Sequence, residues 1–499
     1  MLISFTTPGE PHTSMRLWRI NPFWLTQPLV TSNVPGDLTQ FFEAHVDCDS
    51  QQWTWETMKI FLRGVLMIYV SVTKSRTRAL DEAMHLEMRR AEADFIENPT
   101  DLIKDRLRQA QGVINTHLLE GAARKRMFMK QRFFEEGEKV GHLLSVISKA
   151  QQGATHIGSL KAPNGVVCTD VKSILDVLQT FYADLYTTRM QASDRDIENF
   201  LAKLSLPQLS AEHRDMLEGP LTLEEIEEAT QAMANDKAPG VDGMPMELYK
   251  KFGGILLPKL LKVFEESFEK GDLPRSMKEA IIVVIPKEGK DPQVPESYRP
   301  ISLLSTDVKI LAKTLSNRLI RVIPSIIHSD QTGFMPQKST SINIRRLLLN
   351  LQIPADNIGQ RAVLTLDAAK AFDSVEWQYL WEVMRVIGFG PNFISWVKVL
   401  YSANGELSEW FPLTRGTRQG CPLSPMLFSI AIEPLAAAVR LSPDIEGFRC
   451  GQLHNKIALY TDDALLFLGD TGPLWRRQCA CWMNLDPYQA LLLIGISRP

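Results

Sequence analysis

A mixed α+β fold follows from three features. Residues 457–468 carry two short apolar runs on either side of Thr461-Asp462-Asp463, the pattern of a buried hairpin with a polar tip. Arg361–Leu366 is another buried strand of the same kind, and it ends in Asp367. Around these strands lie long stretches of helical periodicity. The clearest runs from Trp53 to about Lys149, where Leu80, Met84, Met88 and Phe95 recur among charged residues.

The totals bound the problem. A chain of 499 residues has room for roughly three or four domains. Its 44% hydrophobic and 23% charged residues are ordinary for a globular protein. The 6 cysteines, at 48, 168, 421, 450, 479 and 481, include no C-x-x-C pair. A reducing, intracellular setting is expected, in the nucleus, the cytoplasm or both. The first ten residues lack the basic start and apolar core of a secretory signal. The apolar run Phe61–Val72 is too short to span a bilayer, and Arg63 interrupts it, so no membrane partner is expected.

A net charge of −3 argues by itself against a nucleic-acid binder, but charge is uneven along the chain. Residues 124–132 hold Arg124, Lys125, Arg126, Lys130 and Arg132 and no acid. Residues 301–350 hold Lys309, Lys313, Arg318, Arg321, Lys338, Arg345 and Arg346 against Asp307 and Asp330. Under physiological screening such patches matter more than the total. The block at 124–132 reads either as a solvated helix face or as a face for nucleic-acid backbone, with Phe128 and Phe133–Phe134 to pack or stack.

In chain order, residues 1–50 are expected to be irregular, because Pro8, Pro11, Pro22, Pro28 and Pro35 break any long helix. Val171–Leu185 reads as a helix. Thr222 can cap another, with Glu224, Glu225 and Glu228 near its positive end. Asn235–Gly243 is a defined turn region. Met246–Phe252 and Leu256–Lys270 are helical, and Ala280–Ile285 is a strand closed by Pro286-Lys287. Ile301–Val322 reads as an amphipathic helix, followed by a loop at 328–334, a basic helix over 340–352 and an apolar helix over Met426–Val439.

The chemistry concentrates on carboxylates. Asp462 and Asp463 are adjacent at a hairpin tip, where they repel each other unless a cation offsets the cost. A solvated turn is the plain reading, since Asp is a common turn residue. Asp367 is likewise either a helix cap or a third ligand. If its strand lies beside the hairpin, the three converge at one end of one sheet, as a two-metal site for displacement at phosphorus requires. Between the strands sits Arg415-Gly-Thr-Arg-Gln419-Gly420-Cys-Pro, where glycine lets backbone approach a ligand and Arg418 and Gln419 can donate hydrogen bonds.

The order of these motifs resembles a reverse transcriptase of the LINE type, encoded by non-LTR retrotransposons. Leu366-Asp367-Ala-Ala-Lys-Ala-Phe372-Asp373 is similar to the family's first catalytic motif. Arg418-Gln419-Gly420-Cys-Pro-Leu-Ser-Pro425 is similar to its template- and nucleotide-binding motif, and Tyr460-Thr461-Asp462-Asp463 to its tyrosine-x-aspartate-aspartate motif. Lys237–Gly243, Ile285-Pro-Lys287, Ser297–Ser302 and Asp330–Phe334 resemble the fingers motifs of the same branch. The resemblance is dense over 220–470 and looser over 15–215.

The resemblance implies a right-hand polymerase with fingers and an antiparallel palm sheet over 216–470, preceded by a helical linker region over 1–215. It implies that Asp367, Asp462 and Asp463 hold two Mg²⁺ ions, with Mn²⁺ as a substitute. It casts Phe372 as the bulky gate against a ribose 2′-hydroxyl, Lys287 and Arg299 as triphosphate contacts, and Gln419 and Gly420 as positioning groups for nucleotide and template. The implied partners are an RNA template, a DNA primer or target, deoxynucleotides and a candidate RNA-binding protein of the element. Residues 471–499, with Trp475-Arg-Arg-Gln-Cys, resemble no part of the family. A truncated copy without thumb or endonuclease is therefore expected. The competing reading is a non-catalytic remnant that binds nucleic acid through 124–132 and 301–350.

Overall fold

The computed structural model describes residues 2–3, 18–129, 157–352, 362–367, 370–401, 413–443, 445–450 and 453–469. The chain divides into two compact units. One holds residues 1–22, 43–57 and 157–499, and the other holds 23–42 and 58–156.

The smaller unit is helical. It takes most of α1 (Pro28–Ala44) and of α2 (Gln51–Glu97), and the described part of α3 (Asp101–Met129). Helix α1 corrects the expectation of an irregular start. Pro28 stands at its first position, where a missing N–H costs nothing. Pro35 lies inside it and removes one backbone bond, at roughly 3 kcal/mol. Burial of Val30, Val34, Leu38, Phe41 and Phe42 offsets that loss. Phe41 stacks on Phe61 with centroids 5.0 Å apart, and Tyr69 Oη donates to Asp37 Oδ2 at 2.6 Å. Helices α2 and α3 are joined through Arg106, which bridges Glu87 at 2.6 Å and Asp94 at 3.0 Å.

In the larger unit, α4 (Val171–Tyr186) and α5 (Leu223–Ala232) begin as their sequences suggest. Thr222 accepts from Glu225 N at 3.3 Å, and the Glu225 carboxylate accepts from Thr222 N at 3.0 Å, a complete capping box. The same carboxylate holds Arg318 through Nε at 2.6 Å and Nη2 at 2.7 Å. Helix α6 (Gly253–Lys270) follows.

Strands β1 (Ala280–Pro286) and β2 (Tyr298–Leu304) pair antiparallel, with Ile281 opposite Leu303 and Val283 opposite Ile301. This corrects the helix expected from Ile301. The run Ile301–Leu304 fits either period, and pairing to β1 decides it. The helix, α7 (Thr306–Ile326), starts only after Ser305. Helix α8 (Thr340–Gln352) carries the next basic segment.

The second sheet is the one the carboxylates share. It contains β3 (Ala362–Asp367), β4 (Ile457–Tyr460) and β5 (Asp463–Leu468) in the order β3-β5-β4, all antiparallel. Helices α9 (Trp377–Ile387), α10 (Pro391–Tyr401) and α11 (Ser424–Leu441) accompany it. Among the described residues, α11 is the one helix long and apolar enough to cross a membrane, yet 83% of it is buried in the fold. It is a core helix, with Ala431 O accepting from Tyr379 Oη at 3.1 Å.

Candidate active site

The site is built on the β4–β5 turn. Thr461 there has φ 62°, a left-handed conformation that a β-branched residue rarely adopts. Such strain costs roughly 1–2 kcal/mol and persists only where neighbours enforce it. The enforcing neighbour is Gln331. Its Oε1 accepts from Thr461 N at 3.1 Å and from Gly333 N at 2.9 Å, and its Nε2 donates to Thr461 O at 3.4 Å.

The loop 330–334 adds itself to the free edge of β4. Leu459 N donates to Asp330 O at 2.8 Å, and Thr332 N donates to Leu459 O at 3.0 Å. Gly333 lies so close that a Cβ there would sit 2.4 Å from Thr461 N and Oγ1. Asp330 anchors the loop from behind, through Arg346 at 2.9 Å, Arg440 at 3.4 Å and His328 at 2.9 Å. Burial pushes its carboxyl up, but these partners together outweigh burial and hold it below the usual carboxylate range.

Asp367 enters by register. Strand β3 pairs with β5 so that Asp367 lies directly opposite Asp463, which in turn is opposite Tyr460. The backbone of Asp367 therefore runs beside the hairpin tip; its side chain lies outside the described residues. Asp463 is exposed and Asp462 half-buried. Among the described residues no three His, Cys, Asp or Glu side chains are grouped to hold a metal.

Phe372 lies in a short turn, Ala371–Ser374. Its ring stacks on Phe428 of α11 at 4.6 Å and meets the edge of Phe334 at 6.3 Å. The turn is tied to the glycine loop: Thr417 N donates to Phe372 O at 2.6 Å, and Gln419 Nε2 donates to Asp373 Oδ2 at 3.3 Å. The loop is tied in turn to β2, where Ser302 N donates to Gln419 O at 2.8 Å. Gly420 has φ 104° and lies against Ser302 O, 2.8 Å from where a Cβ would be, so glycine is required twice over.

These elements enclose a cavity of about 1250 Å³. Lys287, Arg299, Phe372, Gln419, Gly420 and Asp462 all line it. Six residues singled out in the sequence, spread over 287–462, thus share one chamber. Lys290, Lys370 and Arg418 add further positive charge to its wall. Arg418 is buried over the Tyr401 ring at 5.7 Å, and its Nε and Nη1 have no hydrogen-bond partner among the described residues. Burial lowers its pKa and that of Lys370. Asp463 does not line the cavity.

Arg124, Lys125 and Arg126 fall on α3, in the smaller unit, while Lys130 and Arg132 lie outside the described residues. Part of the other basic stretch is used internally. Arg318 closes on Glu225 and Arg346 on Asp330, and Lys309 donates to Ala238 O at 2.9 Å.

Asp373 closes the motif at 366–373, which assigns it no role by itself, yet it lines the cavity. It is 1% exposed, and burial pushes its carboxyl up to about 6 despite the Tyr186 hydroxyl and nearby Lys370, Lys287 and Arg415. A folded pKa above the unfolded value means that stability is greatest below the unfolded pKa and falls as pH rises through the folded one. Wild type is therefore expected to lose stability relative to Asp373→Asn between pH 4 and 6, reaching a difference of about 3 kcal/mol above that window. Urea unfolding of both proteins from pH 4 to pH 7 checks this; parallel profiles would show that Asp373 ionises freely in the fold.

Comparison with known proteins fits this geometry. Residues 285–475 match the family described as "Reverse transcriptase (RNA-dependent DNA polymerase)". The chain is 31% identical over 447 residues to the "Transposon TX1 uncharacterized 149 kDa protein" of Xenopus laevis, covering 86% of this chain and 33% of that protein. It is 32% identical over 240 residues to the "Retrovirus-related Pol polyprotein from type-2 retrotransposable element R2DM" of Drosophila melanogaster, covering 46% of this chain and 22% of the relative. It is 29% identical over 293 residues to the "RNA-directed DNA polymerase from mobile element jockey" of Drosophila melanogaster, covering 54% and 30%. Residues 285–475 thus carry the reverse transcriptase signature. These relatives are named as proteins of a transposon, a retrotransposable element and a mobile element, and the chain spans about a third or less of the length of each.

Proposed function

We propose that the larger unit is the fingers and palm of an RNA-directed DNA polymerase, adding deoxynucleotides to a primer 3′-hydroxyl on an RNA template. The observation that carries this reading is the shared cavity of Lys287, Arg299, Phe372, Gln419, Gly420 and Asp462, beside a sheet edge where Asp367 and Asp463 are in register. The β3-β5-β4 sheet is then the palm, and the β1–β2 hairpin with its loop is the part of the fingers that meets the triphosphate.

The donor set at the sheet edge is hard carboxylate oxygen, which suits Mg²⁺ or Mn²⁺. Asp367, Asp462 and Asp463 would hold such ions, which when bound lower the barrier to displacement at the α-phosphate by stabilising attacking and leaving oxygens. The chain's own residues do the rest. Lys287 and Arg299 neutralise the triphosphate from the β1–β2 side. The Phe372 ring, fixed by Phe428 and Phe334, closes the space beside the sugar 2′ position. Gln419 and the backbone at Gly420 orient nucleotide and template. Base pairing supplies the sequence information, so contacts to the strands are mainly to backbone. The setting proposed with this reading is intracellular, in the nucleus, the cytoplasm or both.

Primer extension on an RNA template with Mg²⁺ tests it. Wild type is expected to extend with deoxynucleotides and to reject ribonucleotides. Phe372→Val should keep deoxynucleotide extension and raise ribonucleotide use by about 100-fold, the scale of steric discrimination in a packed pocket. Template binding without extension by any variant would leave a nucleic-acid-binding remnant in place of a polymerase.

A further inference from the structure

The turn carrying Phe372 and the loop carrying Gln419 are both fastened to one place, the C-terminal end of α4. Tyr186, the last residue of that helix, donates its hydroxyl to Asp373 Oδ1 at 2.8 Å. The other oxygen of the same carboxylate accepts from Gln419 Nε2 at 3.3 Å. The main chain repeats the link. Tyr186 O accepts from Thr414 N at 3.0 Å and Arg415 N at 3.2 Å, and Leu185 O accepts from Arg415 Nε at 2.7 Å. Just beyond the helix, Thr188 Oγ1 donates to Glu376 Oε2 at 2.7 Å and Arg189 N to Glu376 Oε1 at 3.0 Å. Arg415 reaches the same carboxylate at 3.4 Å. Residues 185–189 therefore clip together the two segments that face the cavity.

Tyr186 does not line the cavity, although Tyr182 and Leu185 of the same helix do. It is 3% exposed and Asp373 is 1% exposed, so this is a buried hydrogen bond to a carboxylate, of the stronger kind. We propose that Tyr186 is a positioning residue: through Asp373 it fixes the Phe372 gate and the Gln419 side chain relative to each other, and so sets nucleotide selectivity. The proposal rests on the polymerase reading for its kinetic consequence, but its structural half stands apart from it.

Tyr186→Phe keeps the ring and removes only the hydroxyl. The first readout is amide hydrogen exchange, which needs no activity. In the variant, exchange of 371–376 and 414–420 should speed up about 10-fold, while the 457–468 hairpin stays as in wild type. The second readout is primer extension. KM for deoxynucleotides should rise about 10-fold with kcat within about 2-fold, and preference over ribonucleotides should fall by a similar factor. Adding Asp373→Asn to Tyr186→Phe removes the under-paired buried charge, so stability should return while selectivity stays low. Selectivity that recovers together with stability overturns the positioning role, and so does unchanged exchange in Tyr186→Phe. Loosened exchange in a wild-type background that incorporates no nucleotide would keep the link and sink the polymerase reading instead.

Discussion

The Asp462→Ala, Asp463→Ala double variant is expected to lose primer extension by at least ~10³-fold while keeping its fold. The size follows from removing several kcal/mol of charge stabilisation at the reacting phosphate. The intact fold follows from how the turn is held. Gln331 grips the backbone of Thr461, and β3, β5 and β4 stay paired beyond the tip, with Leu466 opposite Leu364 and Ala464 opposite both Leu366 and Leu459. Asp463 is exposed, and Asp367 stands directly opposite it in the ladder. Like charges at paired strand positions repel, so removing one should leave stability equal or higher by roughly 0.2–1 kcal/mol without Mg²⁺. Wild type should gain melting temperature on addition of Mg²⁺ and the double variant should not. Lost extension accompanied by a large drop in melting temperature would place the effect in folding, and the carboxylates would lose their assigned role.

What the sequence disclosed divides by the range of the interaction. The β4–β5 hairpin, the strand ending at Asp367 and the Thr222 cap were readable because each is fixed by residues within a turn or two. The gathering of Lys287, Arg299, Phe372, Gln419, Gly420 and Asp462 was readable only through the order of motifs, since no local pattern brings β1 next to the glycine loop. Where local signals compete, tertiary pairing decides. Ile301–Leu304 fits a helix or a strand, and Pro35 argues against a helix that its buried apolar face nonetheless stabilises. The link from Tyr186 to Asp373 crosses 187 positions and leaves no periodic trace. Thr461 in a left-handed conformation was invisible for a related reason. A β-branched residue is among the last expected there, and only Gln331, 130 positions away, makes it tenable.

That dependence sets the second large effect. Gly333→Ala is expected to destabilise the larger unit by about 3 kcal/mol or more and to abolish extension through the fold, not the chemistry. An added Cβ would lie 2.4 Å from Thr461 N, a backbone atom that cannot swing aside as a flexible side chain would. To admit it, loop 330–334 must withdraw from β4. That breaks the bonds from Leu459 N to Asp330 O and from Thr332 N to Leu459 O, and frees Gln331 from the turn. Thr461 would then relax from φ 62°, and Asp463 would leave its register with Asp367. Thr461→Gly relieves both the Oγ1 clash and the left-handed strain, worth roughly 1 kcal/mol. The Gly333→Ala, Thr461→Gly pair should therefore recover part of the lost stability, and a double-mutant cycle by urea unfolding measures how much. A Gly333→Ala protein within about 0.5 kcal/mol of wild type would mean that the loop can shift at little cost, and that the tip carboxylates owe their placement to the strands alone.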